Sequence, residues 1–330
     1  GMLGNLQSGN FVDPDSDAQH VVDELAAYAE DIEIMKENTE TFQEYQKLFG
    51  MPVDAFSHLN LTEKEYQARH NTWSALFQWE KKTTEWTTTA VMQLDVSKIS
   101  NDVQDFTAEA YKMGKANKED RIIFKLKDKI DSFNEYLPLV EELANPALRE
   151  RHWEEVFSLI GQQYVPELSF SVQDMLGYSV MAKLDEVQRV STNASRERSL
   201  EKALDKMTQD WEGVEFRVQD YKDTGTFILG GVDEIQQLLD DQLIKIQSMR
   251  ASPFVKPFEA RATQWEDILS TLQDLLDNWL QCQKTWQYLE PIFSSEDIMK
   301  QLPEEGANFN TVDQIWRDMM NKTRKNPGCV

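Results

Sequence analysis

Residues 257–290 carry the pattern that most limits what this chain can fold into. Large apolar residues recur there at alternating spacings of three and four: Trp265, Ile268, Leu272, Leu275, Trp279, Cys282, Trp286 and Leu289. Such a heptad repeat, widened by Leu269 and Leu276, is typical of a long α-helix whose apolar stripe is covered by other helices. We expect this helix to extend for about 50 Å and to end at Pro291. The residues at its first heptad position, predicted to form a buried structural seam, are Trp265, Leu272, Trp279 and Trp286.

Helical spacing also dominates the sequence outside this segment. The apolar residues assigned to a first long helix, expected to end at Gly50, are Val21, Leu25, Tyr28, Ile32, Met35, Phe42 and Phe49. In "NPALRERHWEEVFSLIG", Asn145 is a good N-cap and Pro146 suits the first helical position, so a helix is predicted from there to Gly161. His152 is expected to be a partly buried residue of that amphipathic helix.

One segment has a different period. Val214, Phe216 and Val218 alternate with polar residues, and the turn sequence "KDTG" separates them from a second short run at 226–229. This pattern predicts a β-hairpin, which must lie on neighbouring helices because an isolated hairpin is marginally stable in water. The predicted fold is therefore mainly α, an elongated array of helical bundles with one β-hairpin.

Length and composition divide the chain into three segments. Its 330 residues exceed the usual single domain of about 100–200 residues. Residues 1–16, rich in Gly, Asn, Ser and Asp, are predicted to be a flexible leader whose Gly-Met start is typical of a cloning scar. Residues 17–213 are assigned to helical bundles, and residues 214–330 to the hairpin and the long-helix bundle. We expect the chain to be a fragment of a longer protein, truncated at its C-terminus.

The charge and the cysteine content limit the partners of the chain. A net charge of −24 repels phosphate backbones and anionic lipids, so nucleic acids and membranes are poor partners. Two cysteines give no disulfide framework and favour a reducing, cytoplasmic setting. The sequence has neither an apolar run near the ~18 residues of a membrane span nor the pattern of a signal peptide.

No catalytic, cofactor-binding or metal-binding constellation emerges from the residues. The four histidines are scattered, without an HExxH pair, and there is no GxSxG motif. "GTFILGGV" has the glycine spacing of a phosphate-binding P-loop, but Gly231 and Val232 stand where lysine and a hydroxyl residue are required. We predict that these glycines end a strand and open a helix. The residues alone predict a helical mechanical or docking module.

Five separated blocks resemble the linker region of dynein heavy chains, and axonemal heavy chains in particular. In chain order they are "LRERHWEEV" (148–156), "LEKALDKMTQDW" (200–211), "TGTFILGGVDEIQQLLDDQLIKIQSMRASPF" (224–254), "WQYLEPIFSSEDIMKQLPEE" (286–305) and "FNTVDQIWRDMM" (309–320). The resemblance extends over about residues 40–320. Five blocks in the correct order are hard to obtain by chance.

The resemblance implies a lever without catalysis of its own. In the family this array arches over the AAA+ ring of the same polypeptide and bends and straightens as the ring turns over ATP. ATP and Mg²⁺ then belong to the ring, so no cofactor is expected in this fragment. The implied partners are that ring and, through the preceding tail, other dynein subunits. No direct binding to microtubules, nucleic acid or membrane is expected. The implied location is the axoneme of a cilium or flagellum.

Two other classes of function remain open at this point. A passive spectrin-like scaffold is the first, although the hairpin and the absence of a triple-helix repeat speak against it. An enzyme is the second, and it would need a constellation that the sequence does not contain.

The hairpin is also the predicted place where the lever flexes or touches the ring. Gly230 and Gly231 interrupt regular structure after it, and residues 253–257 interrupt it again; hinges absorb dihedral change at such ends of elements. Arg217, Lys222 and Asp223 are the predicted contact residues. The alternative is that the hairpin merely caps the end of a bundle.

Overall fold

Helices make up most of the computed structural model, which describes residues 1–330. The chain divides into two units, residues 1–192 and 193–330, and each has its own apolar core. The dividing point lies inside one continuous helix, Leu184–Trp211, about one-third of the way along it. This differs from the predicted boundary at 213/214, because a change in packing partners along an unbroken helix leaves no glycine or proline in the sequence.

The first unit consists of seven helices and the start of an eighth. They are α1 (Met2–Leu6), α2 (Ala18–Leu48), α3 (Ser57–Thr88), α4 (Val96–Ala116), α5 (Arg121–Leu143), α6 (Glu150–Leu159), α7 (Val172–Gly177) and α8 (Leu184–Trp211). The long helices pack as the pairs α2–α3 and α4–α5, and α3 also packs on α5. Edge-to-face contacts around Trp79, with Trp86, Phe106 and Phe133, fill the core of this unit.

Aspartates begin several of these helices. Asp17, Asp95 and Asp120 accept hydrogen bonds from the backbone N–H groups of the first turns of α2, α4 and α5. Each bond satisfies a donor that has no partner within the helix. Asp120 is also buried and forms an ion pair of 3.0 Å with Arg69 of α3. This carboxylate therefore joins two helices as well as capping one.

The first sixteen residues differ from the predicted flexible leader. Residues 2–6 and 9–11 are helical turns, and Leu6 and Phe11 are buried in the core of the first unit. The indole N–H of Trp73 donates to the backbone oxygen of Phe11 at 3.0 Å. Two buried apolar side chains and this hydrogen bond anchor the polar segment to the core, and a reading of its composition misses them.

Helix α6 begins later than the sequence predicts. The side chain of Asn145 accepts from the backbone of Ala147 and so holds a turn, and the helix starts at Glu150 with Arg149 as its N-cap. The imidazole Nδ1 of His152 accepts from the backbone N–H of Arg149 at 3.0 Å, and this residue is buried. The histidine is thus part of a helix start, and Gly161 follows the helix with a φ of 68°.

The second unit combines the hairpin with long helices. After the end of α8 come strands β1 (Arg217–Tyr221) and β2 (Thr226–Gly230), then helices α9 (Asp233–Arg250), α10 (Glu259–Phe293), α11 (Glu296–Gln301) and α12 (Pro303–Lys325). The strands pair antiparallel, with Arg217 opposite Gly230 and Tyr221 opposite Thr226. Helix α9 packs on α10, and both strands contact α12. A mainly helical fold with a single β-hairpin is confirmed.

Helix α10 confirms one half of the heptad prediction and corrects the other. Its first-position residues Trp265, Leu272, Trp279 and Trp286 are all buried. The second buried row consists of Leu269 and Leu276, which were predicted to widen the stripe, and of the polar residues Gln283 and Glu290, which were not predicted. Leu275 and Cys282, both predicted to be in the apolar stripe, are exposed. The buried face therefore includes two polar residues that a count of apolar positions does not select.

Pro291 does not end α10, which continues to Phe293. A proline inside a helix leaves the carbonyl four residues earlier, here that of Gln287, without its usual donor. The hydroxyl of Tyr221 in the hairpin donates to this oxygen at 3.5 Å. Only one helical hydrogen bond is lost so close to the end of the helix, and a side chain from the hairpin takes its place.

None of the helices combines the length and apolar character needed to cross a lipid bilayer.

Candidate functional site

The predicted contact and hinge residues lie at two ends of the hairpin. Lys222 and Asp223 form the exposed turn between the strands, whereas Arg217, Gly230 and Gly231 lie at the other end of the ribbon. Strand residues rise by about 3.3 Å each, so the two groups are separated by more than about 10 Å. The five residues do not form one cluster, and any single contact engages one end.

The turn has a strained residue at its tip. Lys222 has a φ of 48°, in the left-handed region that residues other than glycine rarely adopt. Its ammonium group lies 4.7 Å from the centre of the Tyr221 ring. Hydrogen bonding to Tyr221 raises the pKa of Lys222, so this residue is a fixed positive charge at the tip. Asp223 beside it is exposed.

Of the two glycines at the end of the hairpin, Gly231 is the one whose conformation requires glycine. Its φ is 64°, and it connects β2 to α9. A Cβ at Gly230 would meet only the side chain of Gln219, which is exposed and can move away. The prediction that these glycines end a strand and open a helix is confirmed. The glycines that match the spacing of a P-loop therefore lie in the turn of the hairpin and at the end of its second strand.

Side chains from α10 fix the free edge of strand β2. The amide of Gln283 receives a hydrogen bond from the backbone N–H of Leu229 at 2.7 Å and donates to the carbonyl of the same residue at 2.9 Å. It thereby pairs with the strand as a further strand would. Residues two apart on a strand point their backbone N–H and C=O groups to the same side of the strand. The backbone of Phe227 therefore faces the same way as that of Leu229.

Side chains from α12 extend this pairing along the strand. The indole N–H of Trp316 donates to the carbonyl of Phe227 at 3.2 Å, and the guanidinium of Arg317 donates to that of Thr224 at 2.8 Å. Asp313 accepts from Arg317 at 2.7 Å and from the indole of Trp286 at 3.0 Å. The Trp286 and Trp316 rings are stacked, with centroids 5.4 Å apart.

Residues near 327–329 hold the base of the hairpin. The backbone of Phe216 donates to Pro327 at 2.8 Å, and that of Cys329 donates to Val214 at 3.0 Å. Burial, with a smaller contribution from Glu215, raises the pKa of the Cys329 thiol to about 11. The hairpin is therefore bonded to α10 and α12 along its outer edge, and at its base to the segment that follows α12.

We refer to Gln283, Asp313, Trp316 and Arg317 as the hairpin clamp. Sequence reasoning did not select these four residues. The one available signal was a polar glutamine within an otherwise apolar helix face, at a position adjacent to the predicted stripe. The arrangement ties a β-ribbon to two helices through polar bonds that are buried or partly buried. No group of three or more His, Cys, Asp or Glu side chains is arranged to hold a metal ion.

Comparisons with known proteins all point to one family. Residues 59–330 match the family described as dynein heavy chain, N-terminal region 2. The chain is 35% identical over 314 residues to dynein axonemal heavy chain 3 of Homo sapiens, covering 89% of this chain and 8% of that protein. It is 32% identical over 313 residues to dynein axonemal heavy chain 1 of Mus musculus, covering 94% and 7%. For dynein axonemal heavy chain 12 of Homo sapiens the identity is 33% over 319 residues, covering 94% and 10%.

Proposed function

Because this chain belongs to the dynein heavy-chain family, we propose that it is part of the linker of a dynein motor, a mechanical element without catalysis of its own. The observation that carries the proposal is the match of residues 59–330 to N-terminal region 2 of these heavy chains. The chain spans about a tenth or less of the length of the relatives named above. The activity of the complete motor is therefore part of the proposal.

In this proposal the helical array of which this chain is part bends and straightens over the AAA+ ring of the same heavy chain as the ring binds, hydrolyses and releases ATP. ATP and Mg²⁺ act in the ring, and other dynein subunits attach through the preceding tail. The axonemal names of the relatives support an axonemal location, in a cilium or flagellum.

The hairpin clamp supports a contact role for the hairpin more than a hinge role. Polar bonds from α10 and α12 hold both the free edge and the turn of the ribbon. Rotation within the hairpin would break several of them at once, so we expect the hairpin to move with these two helices as one body. The exposed charges of Lys222 and Asp223 then suit a polar, transient contact with the ring, and flexing falls to segments outside the clamp.

The test uses the heavy chain that contains this segment. We expect the double change Lys222→Ala and Asp223→Ala to slow microtubule gliding and to uncouple it from ATP hydrolysis. The matched control changes Asp241 and Lys245, which are exposed on α9, to alanine and should leave both unchanged. Gliding speed and coupling equal to the control would remove the turn from the mechanism and leave the hairpin as a structural cap, as in a passive scaffold.

The absence of catalysis has its own test. Calorimetric titration of this chain with Mg-ATP should give no heat of binding. Binding of Mg-ATP with micromolar affinity would contradict the proposal that nucleotide acts only in the ring.

A further inference from the structure

The second half of α2 carries an apolar surface that nothing in the first unit covers. We call it the distal stripe, and its exposed members are Ile34, Met35, Phe42, Tyr45, Leu48 and Phe49. Phe42 is 58% exposed and Phe49 is 72% exposed. Single exposed apolar residues are ordinary on a protein surface, but a contiguous group of this size on one helix face marks an interaction site.

The distal stripe is turned away from the neighbouring helix α3. The side of α2 that faces this neighbour is polar and consists of Lys36, Thr39, Gln43 and Gln46, all half-buried. Lys36 forms an ion pair with Glu63 at 2.9 Å. Gln43 donates to the carbonyl of Asp54, and Gln46 accepts from its backbone N–H. These side chains of α2 bond to α3 and to the loop before it, so the contact on this side does not use the apolar residues.

The spacing of the distal stripe is that of a helix-pairing surface. Met35, Asn38, Phe42, Tyr45 and Phe49 follow one another at intervals of three and four. This is the a/d pattern with which one α-helix receives another, and a single asparagine in such a row fixes the register of the partner. The surface thus fits a second helix lying along α2.

The charge beside the distal stripe selects among possible occupants. A row of five exposed glutamates runs along one edge at the same spacings: Glu30, Glu33, Glu37, Glu40 and Glu44. Two copies of the chain paired antiparallel along α2 would bring two such rows together, and anionic lipid would be repelled in the same way. A helix with an apolar stripe and a basic edge satisfies both features.

From this arrangement we propose that the distal stripe docks an amphipathic helix of a partner protein, with Lys or Arg along the edge that meets the glutamate row. The proposal rests on the first unit alone and is independent of the lever mechanism. It differs from the ring contact, which was placed on the hairpin of the second unit.

The probe is a designed helical peptide of about four heptads with Leu and Ile at a and d and Lys at e and g. The same peptide with Glu at e and g is its control. We expect fluorescence anisotropy to show binding of the basic peptide with micromolar affinity and at least about tenfold weaker binding of the acidic one. Equal binding of the two peptides, or no binding of the basic one, would overturn the proposal.

Two sets of variants test the residues. Changing Phe42 and Phe49 to serine should weaken basic-peptide binding at least about tenfold, whereas Phe124→Ser, at an exposed position of α5, should not. Changing Glu37 and Glu44 to lysine should transfer the preference to the acidic peptide. All these residues are exposed, so circular dichroism and melting should be unchanged. Failure of either set to alter binding would overturn the proposal.

Two further outcomes would assign the surface to another occupant. Light scattering should show a monomer at micromolar concentration. If the chain is instead a dimer, and the variant with Phe42 and Phe49 changed to serine is a monomer, the surface binds a second copy of the chain. The intact heavy chain should bind the basic peptide as this chain does. Binding lost in the intact chain would place another segment of the heavy chain on the stripe and overturn docking of a partner protein.

Discussion

The buried amide of Gln283 provides the sharpest test of the packing in the second unit. The residue is 8% exposed and makes two hydrogen bonds to the backbone of Leu229, at 2.7 and 2.9 Å. Gln283→Ala removes both and leaves one N–H and one C=O of a buried strand residue without partners.

The magnitude follows from the cost of each unsatisfied group. A buried donor or acceptor left without a partner costs about 1–3 kcal/mol. Two such groups, with partial access of water at this position, predict a loss of about 2–4 kcal/mol in the free energy of unfolding of the second unit. The exposed Gln281 of the same helix is the matched control, and Gln281→Ala should change it by less than about 0.5 kcal/mol.

Urea unfolding followed by tryptophan fluorescence measures the loss, and hydrogen exchange shows where it falls. A loss of 2 kcal/mol corresponds to about thirtyfold faster exchange through opening of the hairpin, at residues 226–231. Unfolding and exchange indistinguishable from those of Gln281→Ala would refute the idea that side-chain bonds from α10 hold the strand.

Three further predictions concern other parts of the chain. Trp279→Ala should cost about 3–5 kcal/mol in the same urea assay, because this buried indole packs on the Phe216 ring at 5.4 Å; a loss below about 1 kcal/mol would mean that its face is not core. Asp120→Ala should cost about 2–4 kcal/mol, since it removes a helix cap and one of the two carboxylates that pair with Arg69, the other being Glu65; a loss below about 1 kcal/mol would show that water and Glu65 replace the pair. At pH 8 iodoacetamide should label the exposed Cys282 first, because a pKa near 11, against the usual 9.0, leaves Cys329 about a hundredfold less thiolate. Equal labelling by mass spectrometry would contradict the burial of Cys329.

Sequence periodicity predicted the helices and the hairpin because both patterns reflect burial of apolar side chains. It selected the four first-position residues of α10 and, as positions that widen the stripe, Leu269 and Leu276, but not Gln283 and Glu290, the polar members of the second buried row. On a helix, the residues three and four positions after a buried residue lie equally close to the buried face. Which of the two is buried depends on the neighbouring helices and strands. Here the covered row includes Gln283, and its partner is backbone 54 residues away in the sequence.

The candidate site was only partly accessible to sequence reasoning. Turn chemistry placed Lys222 and Asp223 at the tip and identified Gly231 as a junction. The clamp that fixes the hairpin was not accessible, since bonds such as that from Arg317 to Thr224 join residues 93 positions apart. Spacing along one segment carries no information about a backbone acceptor in another. The exposed face of α2 was missed for a different reason, because helical spacing assigned Phe42 and Phe49 to a helix and does not tell whether another element covers their side chains.

The central claim is that this chain moves relative to the AAA+ ring of its heavy chain during ATP turnover. The most direct measurement is energy transfer in the intact motor, from a donor dye at the exposed position 282 of α10 to an acceptor on the ring. We predict that the transfer efficiency differs between the nucleotide-free motor and the motor trapped with ADP and vanadate, and that it alternates during turnover. A constant efficiency in all nucleotide states, in a motor that still hydrolyses ATP and drives gliding, would contradict the lever.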